Sequence, residues 1–124
     1  MIECSLCIKC DEVSARRRIF YPRSIVYDAL NDSLEHLYVS TQDSRSHVVP
    51  ALELIHVVGK VESFNIEDDG EVKVMVKPIR DQIPVCLEMF NLNPVGVGEV
   101  VDGVIKSFIL FYLQVDGNSP KRNN

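Results

Sequence analysis

Four cysteines and three histidines are the residues of this chain best suited to chemistry. Cys4, Cys7 and Cys10 form a C-x-x-C-x-x-C array, with Cys86 as a candidate fourth thiolate, a donor set that suits tetrahedral zinc. The neighbouring residues argue against it. Ile2, Cys4, Leu6, Ile8 and Cys10 alternate with Glu3, Ser5, Cys7, Lys9 and Asp11, the period of a half-buried strand. On a strand Cys4 and Cys10 face inward and Cys7 faces the other way. Thiols on two faces cannot close around one ion without a turn, and no Gly or Pro breaks the run. Free thiols without metal are expected, and structural disulfides are not, in a reducing compartment. His36, His47 and His56 could form a metal trio with Glu35, Glu53 or Asp43, but they lie on different elements without i, i+4 spacing. Ser107 with His56 is a conceivable dyad, yet Ser107 lies in an alternating strand rather than on an exposed turn. Glu67-Asp68-Asp69 could hold a cation, but a hairpin tip uses such residues anyway and calcium-loop spacing is absent. Gly96 and Gly98 sit where an enzyme loop could lie. Around them Asn93, Pro94, Val95 and Val97 supply neither nucleophile nor general base. No catalytic residue, no cofactor and no metal is expected.

The elements that would carry these residues are legible from periodicity. A first strand is expected over residues 2–11, then a polar loop over 12–18 and an apolar anchor, Ile19-Phe20-Tyr21. Pro22 and Ser24 read as a helix start, with Ser24 as a cap. Ile25, Val26, Ala29, Leu30 and Leu34 recur at helical spacing. Residues 42–47 read as a polar surface loop and residues 52–66 as extended chain. Asp68-Asp69-Gly70 turns into Glu71-Val72-Lys73-Val74-Met75-Val76-Lys77, whose strict alternation predicts one wet and one dry face. Pro78 ends that strand. Asp81 is expected to cap a short helix carrying Ile83, Val85, Leu87, Met89 and Phe90, with Pro84 in its first turn. Asp102-Gly103 then joins strands over residues 95–101 and 104–115 by a type I′ turn. The predicted fold is α+β, mainly an antiparallel β-sheet or small barrel with about two helices. Residues 1–116 form one domain and 117–124 a polar C-terminal tail, disordered or ordered only on a partner.

Composition narrows the partners. The chain of 124 residues carries a formal charge of −5, the wrong sign for a nucleic-acid footprint. Its one basic cluster, Arg16-Arg17-Arg18, is suited to solvating a turn or meeting an acidic protein. The longest apolar run, residues 108–113, is far short of the ~20 residues of a membrane span, and no signal segment is visible. A soluble protein is expected. In that apolar run both faces of the strand are apolar, so both must be covered, within the chain or against another subunit. Arg16, Arg17, Arg18, Phe108, Phe111 and Tyr112 are the candidate interaction residues.

The order of signals resembles the tailed-phage prohead maturation proteases, which share their fold with herpesvirus assemblins. The resemblance rests on Arg17-Arg18-Ile19-Phe20-Tyr21-Pro22-Arg23-Ser24-Ile25-Val26 after the first strand. It continues through Ile55-His56-Val57-Val58-Gly59-Lys60-Val61, the Asp68-Asp69-Gly70 hairpin, Val95-Gly96-Val97-Gly98 and Val104-Ile105-Lys106-Ser107-Phe108. The family's nucleophile is a serine in a Gly-x-Ser-Ser-Arg-Gly-like stretch; the matching place here is Asn91-Leu92-Asn93-Pro94-Val95. The family histidine has no clean counterpart either, only Ser46 and His47. The resemblance therefore implies a protease-like scaffold without its chemistry: a phage capsid cement or decoration subunit, in the virion or host cytoplasm. Its implied partners are major capsid protein and copies of itself. The alternatives are a small serine protease of prohead maturation and an inhibitor of a host defence factor.

Overall fold

Cys4, Leu6 and Ile8 of strand β1 (Ile2–Lys9) turn inward by simple alternation, as do Val72, Val74 and Val76 of strand β4 (Glu71–Pro78). The computed structural model describes residues 1–42, 52–80 and 83–121. In chain order the remaining elements are helix α1 (Arg23–Ser33), β2 (Tyr38–Ser40), β3 (Val57–Ile66), β4 (Glu71–Pro78), helix α2 (Val85–Met89), β5 (Phe90–Val101) and β6 (Val104–Pro120). Short 3₁₀ turns cover Leu34–His36 and Leu54–His56. The strands close into a barrel in the order β1-β4-β3-β2-β6-β5, so the α+β small barrel expected from the sequence is the observed fold. Most pairings are antiparallel; β2–β6 and β1–β5 are parallel. The core joins the inward valines of β4 to Leu30, Leu37, Leu87, Leu92 and Leu113.

Both hairpin turns have the chemistry that the sequence announces. Gly70 adopts φ 92, and Asp102 and Gly103 adopt φ 51 and 77, two consecutive left-handed residues as a type I′ turn requires. Helix α1 starts differently. Pro22 is the residue before its first turn, with extended φ −61 and ψ 140, and no side chain on that residue caps it. Ser24 is exposed and makes no capping bond. The free N–H of Arg23 donates instead to Asp11 Oδ1 at 3.1 Å, so the cap comes from the turn that follows β1.

Four expectations are corrected. Residues 52–66 are not extended throughout: Leu54–His56 is a 3₁₀ turn and β3 begins at Val57. Phe90 does not end α2 but opens β5. No loop surrounds Gly96 and Gly98; both lie inside β5, paired with Leu110 and Phe108. Nor does a tail begin at residue 117. β6 continues to Pro120, Asp116 is buried, and Lys121 donates its backbone N–H to Met89 O at 2.7 Å. The Lys121 ammonium adds bonds to Leu87 O at 2.6 Å and Glu3 O at 3.0 Å. Long-range polar pairing gives this polar segment what its composition lacks in apolar surface. Asp43, His47, Ser46, Asp81 and the rest of the predicted loop after Gln42 lie outside the described residues.

Candidate interaction surface

The thiols are placed as strand alternation predicts. Cys4 and Cys10 are buried, Cys7 is half-buried on the other face, and all four cysteines are free. Cys4 Sγ donates to Leu87 O and Cys7 Sγ to Asn93 Oδ1, each at 3.4 Å. Burial raises the pKa of Cys4, Cys7 and Cys86, and it pushes Cys10 up to about 11. Thiols held protonated are weak nucleophiles and weak ligands at neutral pH. Among the described residues no three His, Cys, Asp or Glu side chains gather as a metal site. His56 pairs with Glu53 at 3.4 Å, and no hydrogen bond joins it to Ser107, which is exposed on β6.

Asn93, which stands where the protease resemblance would put the nucleophile, is a structural junction. Its Oδ1 accepts from Arg17 Nη2 at 2.7 Å as well as from Cys7, and its Nδ2 donates to Gln114 Oε1 at 3.5 Å. Gln114 Nε2 in turn donates to Gln42 O at 2.8 Å. The chain of bonds therefore ties β1, the basic loop, β5, β6 and the segment after β2 at one seam of the barrel.

The six candidate interaction residues separate. Arg16 Nη1 meets the buried carboxylate of Asp116 at 2.6 Å, and Arg17 is held by Asn93, Tyr21 and Pro94. Two of the three arginines are thus engaged within the chain. Arg18 is exposed, with a left-handed φ of 56 at the foot of the loop. Tyr112 is fully buried at 0% exposure and is corrected from a surface to a core position. Phe108 and Phe111 are half-buried and border a groove of about 360 Å³ between α1 and β6.

The sequence reading missed the most exposed apolar residue of this strand. Ile109 is 62% exposed and lies directly across the ladder from Val97, itself 42% exposed. Val100 and Val101 extend the apolar surface towards the hairpin tip. Counting back from the Asp102-Gly103 turn would set Val97 opposite Phe108. An unpaired extra residue, Lys106, shifts the partner to Ile109. A second apolar groove, of about 700 Å³, runs beside Ile55, His56, Ile79, Arg80 and Val85, with Ile55 85% exposed. None of the described helices is long and apolar enough to cross a membrane. No protein-family model, curated protein or solved structure matches the chain.

Proposed function

We propose that this chain is a non-catalytic assembly protein that works by holding other proteins. In the setting implied by its sequence resemblance, it is a capsid cement or decoration subunit on major capsid protein. The observation that carries the reading is the Val97–Ile109 pair, an apolar cross-strand step left in solvent beside the half-buried Phe108 and Phe111. Removing such side chains from water stabilises a complex by ~1.5–3 kcal/mol for each one fully covered. The protonated thiols and the fully engaged Asn93 also favour contact over acyl transfer. The test is the native mass of the purified chain, alone and mixed with virion proteins, with a serine-reactive phosphonate run in parallel. A complex with a capsid component that is lost in Ile109→Lys is expected, with no serine labelled. A strict monomer that binds no capsid component overturns the proposal. So does a labelled serine whose replacement abolishes peptide cleavage.

A further inference from the structure

Where β4 ends and β3 begins, Ile55, Ile79, Ile83 and Val85 surround one groove of about 700 Å³, each between 49% and 85% exposed. At about 180 Å² for a fully exposed aliphatic residue, the four offer about 450 Å² of accessible surface, the size at which a patch on a monomer is commonly functional. A standard joint between two proteins covers about 800 Å² on each side, a little over half of it apolar. The patch therefore supplies the apolar share of one such joint. Its backbone is already paired. The Thr41 N–H and hydroxyl both donate to His56 O, at 3.0 and 3.3 Å. The His56 N–H donates to Glu53 O at 3.1 Å, and the Ile79 N–H to Val58 O at 3.3 Å. Drying the patch leaves each of these groups with its partner, so it carries none of the penalty of an orphaned buried group.

The patch has two halves that fit each other. One is a knob. The 3₁₀ turn Leu54–His56 holds Ile55 out in solvent, and the bonds from Thr41 and to Glu53 fix that turn before any partner arrives. The other half is the groove beside it, walled by Val58, Ile79, Ile83 and Val85. Charge divides in the same way. Glu53 stands next to the knob, its carboxylate 3.4 Å from His56 Nε2. Arg80 lines the groove, is exposed and, among the described residues, pairs with no carboxylate. Knob and groove share one face. A two-fold axis through that face sets the knob of each copy into the groove of the other, and carries each Glu53 to the other copy's Arg80.

We propose that this patch is an isologous joint between two copies of the chain, with Ile55 as its anchor and Glu53 against Arg80 as its reciprocal charged contact. A different protein would need only one half of the patch. A knob and a groove side by side, with opposite charges, are what a self-pairing surface requires. The joint uses none of the residues of the Val97–Ile109 face, so it goes beyond the docking reading above. The dimer presents that face twice, and two linked contacts hold a repeating surface far more tightly than one.

Sedimentation of the full chain over a range of concentrations tests the joint. A monomer–dimer equilibrium that stops at the dimer is expected. Ile55→Lys should weaken the dimer about 30-fold or more. Its urea midpoint should match the parent's at dilutions where both are monomeric, because the side chain is in solvent there. Glu53→Lys and Arg80→Glu should each weaken the dimer about 10-fold alone. Mixed in equal amounts, they should restore it as a heterodimer, because each copy then offers the charge that the other lacks. Ile109→Lys should leave the dimer unchanged. A strict monomer, an open series of larger species, a dimer indifferent to Ile55→Lys, or no recovery in the mixture each overturns the joint. So does a monomer that loses a capsid component through Ile55→Lys, which gives the patch to another protein. A strict monomer that holds a capsid component through Ile109 leaves docking standing without the joint. A dimer that ignores capsid proteins leaves the joint standing without docking.

Discussion

Replacing Gly96 by alanine should prise the longest ribbon of the barrel apart. A Cβ at that position would lie 2.0 Å from Ile109 O, 2.9 Å from the Ile109 carbonyl carbon and 3.1 Å from Leu110 Cα, all backbone atoms of β6. Ordinary contact begins near 3.4 Å, so β5 and β6 must separate by more than about 1 Å. No side-chain rotation relieves this. A shift of that size breaks or badly stretches the ladder bonds on either side, each costing about 1–3 kcal/mol when its groups stay buried and unpaired. The expected loss is therefore about 2–5 kcal/mol, a large part of the ~5–15 kcal/mol that holds a domain folded. Gly117→Ala is the matched control, because nothing lies within 4 Å of its Cβ. That variant should stay within about 0.5 kcal/mol of the parent. Urea unfolding followed by far-ultraviolet circular dichroism and by the fluorescence of the four tyrosines, undisturbed by tryptophan, measures both. Equal midpoints for the two variants would refute the close-approach account of Gly96.

Ile109→Lys should change stability by less than about 0.5 kcal/mol in the same urea assay, since the side chain is already in solvent, while removing partner binding. Arg16→Ala should cost about 1–2 kcal/mol, because it strips the guanidinium from a buried carboxylate and leaves it, among the described residues, with the Asn118 N–H at 3.0 Å. Arg16→Lys should recover part of that loss. Ellman's reagent at pH 8 should react far more slowly with the native chain than with the urea-unfolded chain, since burial raises the pKa of every thiol. Cys10 also contributes a pH dependence. Its folded pKa of about 11 lies above the ordinary thiol value, so the unfolded chain loses that proton first. Its stabilisation is fully present below pH 9 and falls by up to about 1.4 kcal/mol per pH unit as pH rises towards 11. The difference between parent and Cys10→Ala in urea midpoint against pH should show that decline.

Local chemistry was readable where a turn or an alternation decided the structure. Gly70 and Asp102-Gly103 need left-handed backbone, and Val72, Val74 and Val76 need one dry face; each did what its pattern announced. The glycine pair at 96 and 98 misled because a glycine needed for loop freedom and a glycine needed for strand proximity look alike in a sequence. The apolar run of β6 misled for a related reason. Extra residues at Lys106 and Phe111 reset the alternation, so Leu110 and Leu113 both join the core while Ile109 points out. The basic cluster and the predicted tail could not be read locally at all. Arg16 finds Asp116, and Arg17 finds Asn93, only after the barrel brings distant segments together. The parallel pairing of β2 with β6, which closes the barrel, is encoded by no motif either.

The two parallel joints set the order in which the molecule assembles. The β3–β4 and β5–β6 hairpins pair neighbours in sequence and form with little loss of chain entropy. Closure requires Leu6 to find Leu92 and Val39 to find Leu113, from opposite halves of the chain. Such distant pairings are slow, so ring closure is the late step on the route to the native state. The β1–β5 joint has a single bridged pair and the β2–β6 joint two, so the backbone amides at these joints should exchange with deuterium ahead of those in either hairpin.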